Sequence, residues 1–463
     1  MDRLISFLVL LPFLVYLIIP IIMLAAFYIK KSSLSRNLVK FWSIGFSLIA
    51  VASTFALMVI SAQADLAFNS GKIYLTEPLT QLSLATQVFG VFILNSVFIK
   101  ENDDLWFHRV IKTMFSLGAL TYLIFSNQFL SVFLGLIALL IIAPTIKIRT
   151  KQILSGVILG LVIFLYSLSL EFSKSFAEIR LSLLSGEVSQ WAGLAIVFVV
   201  LIFMLLTTLT VVSKDKKLDF FDRASWLLLS PVPLILCFYR LIQLGFISVD
   251  NITYDFSQWF LVFYLILFVC LIYLKRFSIT GIILATSAGH TMLSMLFALS
   301  GADDFSFSIV SVHFYMVSST VFLIALYYIN KVEDLKGAAI DHQDIQVLIN
   351  SKSSRGFVVF SLILFASALP PGPLFLVTYS GVQSLIEVGL YWTTLWSLVG
   401  LSFLGYFLFT SFSTTSMMDK ASQENVLELW RKRPETSVNS EFKEVIFVLV
   451  CFLTLYGVSF LNL

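Results

Sequence analysis

Apolar runs of about 20 residues recur from one end of this 463-residue chain to the other, and nothing else in it constrains the fold as much. Hydrophobic residues make up 59% of the chain and charged residues only 12%, too little polar surface for a water-soluble globule. In hydrocarbon no water can pair with backbone N–H and C=O groups, so each run must satisfy its own as a helix. The expected class is an all-α polytopic membrane protein, one transmembrane domain over 1–463. About fourteen spans fit the runs: 4–29, 41–63, 80–99, 110–126, 128–146, 153–172, 191–213, 226–246, 257–274, 277–299, 306–330, 356–382, 386–412 and 444–461. The first is too long for the apolar core of a signal peptide and lacks a small-residue cleavage site.

Basic residues test this layout. Of 30 Lys and Arg, 25 fall in the loops that follow odd-numbered spans or, for Lys112, in the first residues of the next span, in clusters such as Lys30–Lys40, Lys214–Arg223 and Arg431–Lys443. Only Arg3, Lys72, Lys174 and Arg180 fall on the opposite side, and Arg240 lies inside a span. One span more or fewer before the middle of the chain would destroy this asymmetry. The positive-inside rule therefore supports the layout, with both termini on the basic-poor face.

Other chemistry is sparse. Cys237, Cys270 and Cys451 lie far apart in apolar spans and read as small packing residues. The four histidines have no metal-ligand spacing, and a net charge of +3 gives no reason to expect nucleic acid. Lipids are the expected surroundings, and the segment 413–443 contains a candidate surface helix around Val426–Trp430.

The middle of the chain is different. From Thr207 to Gly245 an apolar run ends at Ser213, and Lys214, Asp215, Lys216, Lys217, Asp219, Asp222 and Arg223 follow. A second run then opens with Trp226, Pro231 and Pro233 and carries Arg240. A guanidinium in such a segment usually faces a protein interior, with a partner or water. His290 and His313 also fall inside spans and join Lys214 and Arg240 as proton-path candidates. For both histidines the alternative is a neutral core side chain, for Lys214 a boundary anchor, and for Arg240 a pin between helices. Pro370, Pro371 and Pro373 remove backbone donors from the twelfth span and, with Gly372 between them, break it at membrane depth. Such breaks occur along ion paths in transporters, and also as plain kinks.

Four stretches in order carry a resemblance: NQFLSVFLGL (Asn127–Leu136), SPVP (Ser230–Pro233), TSAGHTMLSMLFAL (Thr286–Leu299) and ALPPGPLFL (Ala368–Leu376). Together they resemble the antiporter-like membrane subunits of respiratory complex I, most of all a divergent mitochondrial subunit 2, with subunit 4 left open. The resemblance covers about 80–412 and implies two inverted five-helix repeats, 106–246 and 257–412. Residues 1–99 would then be N-terminal helices, and 413–463 a surface segment and last helix. It further implies a part in NADH:ubiquinone oxidoreductase of the mitochondrial inner membrane, beside other complex I membrane subunits. Forty-six phenylalanines against 21 glycines fit an AT-rich coding genome such as a mitochondrial one. NAD, FMN, iron–sulfur clusters and ubiquinone would belong to the wider complex, since this chain has no motif for them.

The departures concern proton transfer. Where the family has a glutamate in the fifth helix this chain has Ile137 and Ala138, and the twelfth-helix lysine falls at Thr378 or Tyr379. The seventh- and eighth-helix lysines fall near Lys214 and Arg240, and the seventh span has no proline. Isoleucine does not titrate and arginine stays protonated. The expectation is a complex I membrane subunit whose own proton path is degraded. The alternatives are a cation/proton antiporter subunit and a purely structural membrane subunit.

Overall fold

The computed structural model describes residues 2–29, 35–61, 66–68, 73–98, 105–128, 130–142, 156, 158, 190–212, 218–249, 252–274, 279–303, 308–336, 366–368, 370 and 372–413. The expected span 153–172 except for residues 156 and 158, the span 444–461, the segment 414–443, Lys214 and Pro371 lie outside them.

The described residues are nearly all helical: α1 (Asp2–Ile29), α2 (Arg36–Ser61), α3 (Glu77–Val97), α4 (Trp106–Phe125), α5 (Leu130–Ile142), α6 (Gln190–Val212), α7 (Phe220–Leu229), α8 (Pro231–Gln243), α9 (Ile252–Leu274), α10 (Ile279–Ala298), α11 (Ile309–Lys336), α12 (Pro373–Glu387) and α13 (Tyr391–Ser413). Seven stretches among them are long and apolar enough to cross a membrane, one being Phe220–Gln243, which joins α7 to α8. One segment departs from the all-helical expectation. Strands β1 (Leu66–Phe68) and β2 (Ile73–Leu75) pair antiparallel, with Ala67 opposite Tyr74. Phe, Ile and Tyr favour the pleated conformation, and the short separation allows a hairpin.

Local chemistry sets the helix ends. Thr76 caps α3 by accepting the Leu79 N–H, and Pro78 and Glu77 suit the first turn, where donors are unpaired and the dipole is positive. The eighth span starts earlier than the apolar pattern predicts, at Phe220 instead of 226. Asp222 favours a helix N-terminus, and Arg223, expected in a loop, is buried in the first turn of α7. Between α7 and α8, Ser230 keeps helical angles, and its hydroxyl donates to the Trp226 carbonyl at 2.5 Å. Pro231 and Pro233 therefore thin the hydrogen-bond ladder without ending the span.

The chain divides into two compact units. One comprises Met1–Val211, Phe221–Ser257 and Gly301–Val312, and the other Val212–Phe220, Gln258–Ser300 and His313–Leu463. In the first, α1 packs on α2 and α4, α3 on α2 and α4, and α5 on α4 and α8. In the second, α10 packs on α12 and α13, and all twenty residues of α10 are buried.

Candidate functional site

The first unit holds Arg240, in the last turn of α8 and only 1% exposed. One Nη donates to the Gln243 side-chain oxygen at 2.5 Å, and the other to the Ile124 carbonyl at 2.8 Å. Ile124 lies in the last turn of α4, where carbonyls lack an intrahelical donor and the helix end is partly negative. Arg240 thus caps a neighbouring helix, and its charge meets two oxygens and a dipole. A charged donor to a carbonyl contributes about 1.5–3 kcal/mol, which offsets part of the cost of burying the guanidinium.

Gly135 brings α5 onto α8. A Cβ there would stand 2.6 Å from Cys237 Sγ, so the helices approach as only glycine allows. Arg240 near the end of α8 reaches the end of α4, just before α5 begins, so α5 and α8 run antiparallel. From the Gly135–Cys237 contact, Ala138 lies about 4.5 Å along α5 in one direction, and Arg240 about 4.5 Å along α8 in the other. Ala138 is buried, and Ile137 is 42% exposed, facing out of the unit. In α6, Gly193 meets the ring of Phe246 in the same close manner, and the helix runs unbroken from Gln190 to Val212.

The second unit holds His290, 1% exposed on α10. Its Nδ1 lies 2.8 Å from the Thr286 carbonyl, and since a carbonyl only accepts, Nδ1 is the protonated nitrogen. The ring stacks on Phe314 with centroids 5.6 Å apart and planes 10° apart, and meets Phe322 edge-on at 5.0 Å. Among the described residues Nε2, the acceptor of the neutral ring, has no hydrogen-bond partner. His313 is buried one residue before Phe314 on α11.

The proline-rich stretch separates Ala366 from α12. Ala368 is left-handed at φ 52°, unusual for a residue with a Cβ, Gly372 is extended, and Pro373 opens α12. Pro373 is buried and Pro370 exposed. A cavity of about 460 Å³ lies between this break, α12 and α13, lined by Ser367, Ala368, Thr378, Tyr379, Ser402 and Tyr406 among others. Thr378 and Ser402 donate to their own helices, at Leu374 and Leu398, and Tyr379 is 58% exposed. Gly381 faces Phe297, whose ring carbons would lie 2.6–2.7 Å from an added Cβ. Phe297 meets Phe314 edge-on at 5.0 Å, and Phe314 carries His290.

Of the candidates, His290 and His313 lie in the second unit on neighbouring helices in sequence, and Arg240 belongs to the first. Sequence reasoning missed the partners: Gln243, the Ile124 carbonyl, Phe314 and Phe322. Only Gln243, three residues after Arg240, had a readable helical spacing.

No protein-family model and no curated protein matches the sequence. Many solved structures match, and two that do so over nearly its whole length are as follows. A chain of the membrane-bound sulfane sulfur reductase, an archaeal respiratory membrane complex, superposes with a TM-score of 0.58 at 12% identity, covering 98% of this chain and 96% of that one. A chain of respiratory complex I from Thermus thermophilus with bound NADH gives 0.52 at 12% identity, covering 98% and 100%. This chain shares their fold. At such identity the likeness is one of architecture, and with seven membrane-competent helices it makes this a multi-pass membrane protein with the fold of a complex I-type respiratory subunit.

Proposed function

We propose that this chain is a membrane-arm subunit of NADH:ubiquinone oxidoreductase in the mitochondrial inner membrane, a divergent relative of subunit 2 with a degraded proton path. The observation that carries the reading is the end-to-end likeness to a complex I chain. The four motifs and the basic-residue asymmetry support the finer assignment, including about fourteen helices and two inverted repeats. Redox cofactors belong to partner subunits on this reading.

The degraded path rests on particular side chains. Ile137 faces outward and Ala138 has nothing to ionise, so the fifth-span carboxylate has no substitute at either position. Arg240 is engaged by Ile124 and Gln243, and it does not release a proton near neutral pH. Thr378 returns its hydroxyl to α12, and His290 is held between two phenylalanines.

Assembly is the direct test. On a native gel of solubilised membranes the chain is expected to co-migrate with NADH dehydrogenase activity, and its loss to destabilise that complex. The purified chain alone is expected to oxidise no NADH. Migration apart from all NADH-oxidising activity would overturn the assignment. The higher similarity to the sulfane sulfur reductase chain favours a second reading, a membrane subunit of a respiratory complex with a different electron acceptor. Assaying the same band with ubiquinone and with a sulfur acceptor separates the two.

The topology follows from the charge asymmetry. Tags at residues 1 and 463 are both expected to resist proteases applied from the side that cleaves at Lys214–Arg223. Cleavage of either tag together with that segment would contradict the layout.

A further inference from the structure

The cavity beside the broken twelfth span lies inside a helical hairpin. α12 and α13 are joined by the turn at 388–390, where Gly389 is left-handed at φ 83°, so the two helices run antiparallel. Phe375, Thr378 and Val382 line the cavity from one face of α12, and Leu398, Ser402 and Tyr406 from one face of α13. Facing stripes across so short a turn ordinarily interdigitate, yet here about 460 Å³ separates them. The break accounts for the space. Beyond Pro373 the wall is made by Ser367 and Ala368, whose side chains are too small to fill it. A Cβ on Gly405 would stand 2.9 Å from the Ser367 carbonyl oxygen, so the break sits directly on α13 and closes that end.

The walls have the character of hydrocarbon. None of the described lining residues is charged, and Thr378 and Ser402 give their hydroxyl hydrogens to carbonyls of their own helices. Tyr379 and Tyr406 are 58% and 60% exposed, so the cavity opens sideways out of the hairpin. Depth is set by the helix rise: Leu398 and Tyr406 lie about 10 and 22 Å along α13 from Tyr391, within a ~30 Å hydrocarbon core. Tyr391 and Trp392 are exposed in the first turn of α13, where amphipathic rings mark the head-group level. Tyr391, Leu395, Leu398, Ser402 and Tyr406 are all exposed at helical spacing, one continuous track from that level down to the cavity.

We propose that this cavity holds one acyl chain of a membrane phospholipid whose head group lies at Tyr391 and Trp392. Depth and charge select this occupant. At that level the bilayer offers hydrocarbon, and a polar ligand would meet no charged partner among the described lining residues. Volume sets the number. A ~150 Å³ apolar cavity takes one benzene ring, so about three times that space takes roughly eighteen carbons, one chain and not two. The proposal is independent of the function proposed above, because it uses only the hairpin and its depth in the bilayer.

Phosphatidylcholine carrying a diazirine in mid-chain tests it. The full-length chain is reconstituted with this lipid, exchanged into lipid-free detergent and irradiated, and the labelled peptides are mapped by mass spectrometry. Label is expected to remain at 375–382 and 398–406, and to wash away from the exposed rings of Trp259 and Phe263 on α9. Ser402→Trp fills the cavity from an exposed position and is expected to lower the hairpin label at least about tenfold, the factor lost with two buried methylenes. Unlabelled phosphatidylcholine is expected to compete, and a prenyl-tailed quinone in equal excess is not. Should Ser402→Trp unfold, the map of the unaltered chain decides alone. Label spread evenly over the hairpin and α9 overturns the proposal, as does full label in a folded Ser402→Trp. No label at the hairpin overturns it in favour of a cover formed by residues 414–463 or by another subunit. Displacement by the quinone overturns it in favour of an isoprenoid tail.

Discussion

Arg240→Met is expected to lower the stability of the chain by about 3 kcal/mol, the combined effect of a lost charge-assisted bond and a buried carbonyl left without a donor. Arg240 is 1% exposed and tied to the Ile124 carbonyl and to Gln243, so truncation frees the end of α4 from α8. Thermal unfolding of the purified chain should show a lower midpoint, and membranes should contain less assembled complex. Arg240→Lys is expected to fall between, since an ammonium keeps the charge but cannot span two acceptors as a planar fork does. If the function proposed above holds, the complex that does assemble is expected to move as many protons per electron as before. A drop in that ratio with assembly intact would place Arg240 in a working path and sink the structural reading.

Gly381→Ala is expected to destabilise the chain by about 1–3 kcal/mol, the usual cost of forcing a methyl group into a filled core. The new Cβ would stand within 2.7 Å of three carbons of the Phe297 ring. That ring is fully buried and packed against Phe314, which in turn stacks on His290, so it has little room to yield. Phe297→Leu removes the obstructing ring atoms. A double-mutant cycle between the two changes is therefore expected to show favourable coupling of about 0.5–3 kcal/mol. Additive losses would mean that α12 and α10 adjust independently of this contact.

How far these features could be read in advance differs from residue to residue. Arg240 stands out in any apolar run because its burial is costly, but its partner is a backbone carbonyl, and carbonyls leave no trace in residue type. Ile137 and Ala138 were legible as apolar replacements. That the first faces outward and the second inward depends on how α5 packs on α8 through Gly135 and Cys237, and periodicity alone does not report it. His290 is conspicuous as a titratable group in a span, but Phe314 and Phe322 are two of 46 phenylalanines, and nothing local marks them as its neighbours. The hairpin at 66–75 was missed because three-residue strands are too short to establish an alternation.

The bond between Arg240 and Ile124 also bears on how the chain is made. The acceptor precedes the donor by 116 residues, so α4 is synthesised and delivered to the bilayer well before Arg240 leaves the ribosome. Arg240 lies three residues from the end of α8, where a long side chain can reach the head groups while the span inserts, at far less cost than at the bilayer centre. Its inward turn can then wait for α8 to reach α4. The order of the two helices along the chain lets a charged residue enter the membrane from its edge and find its partner already in place.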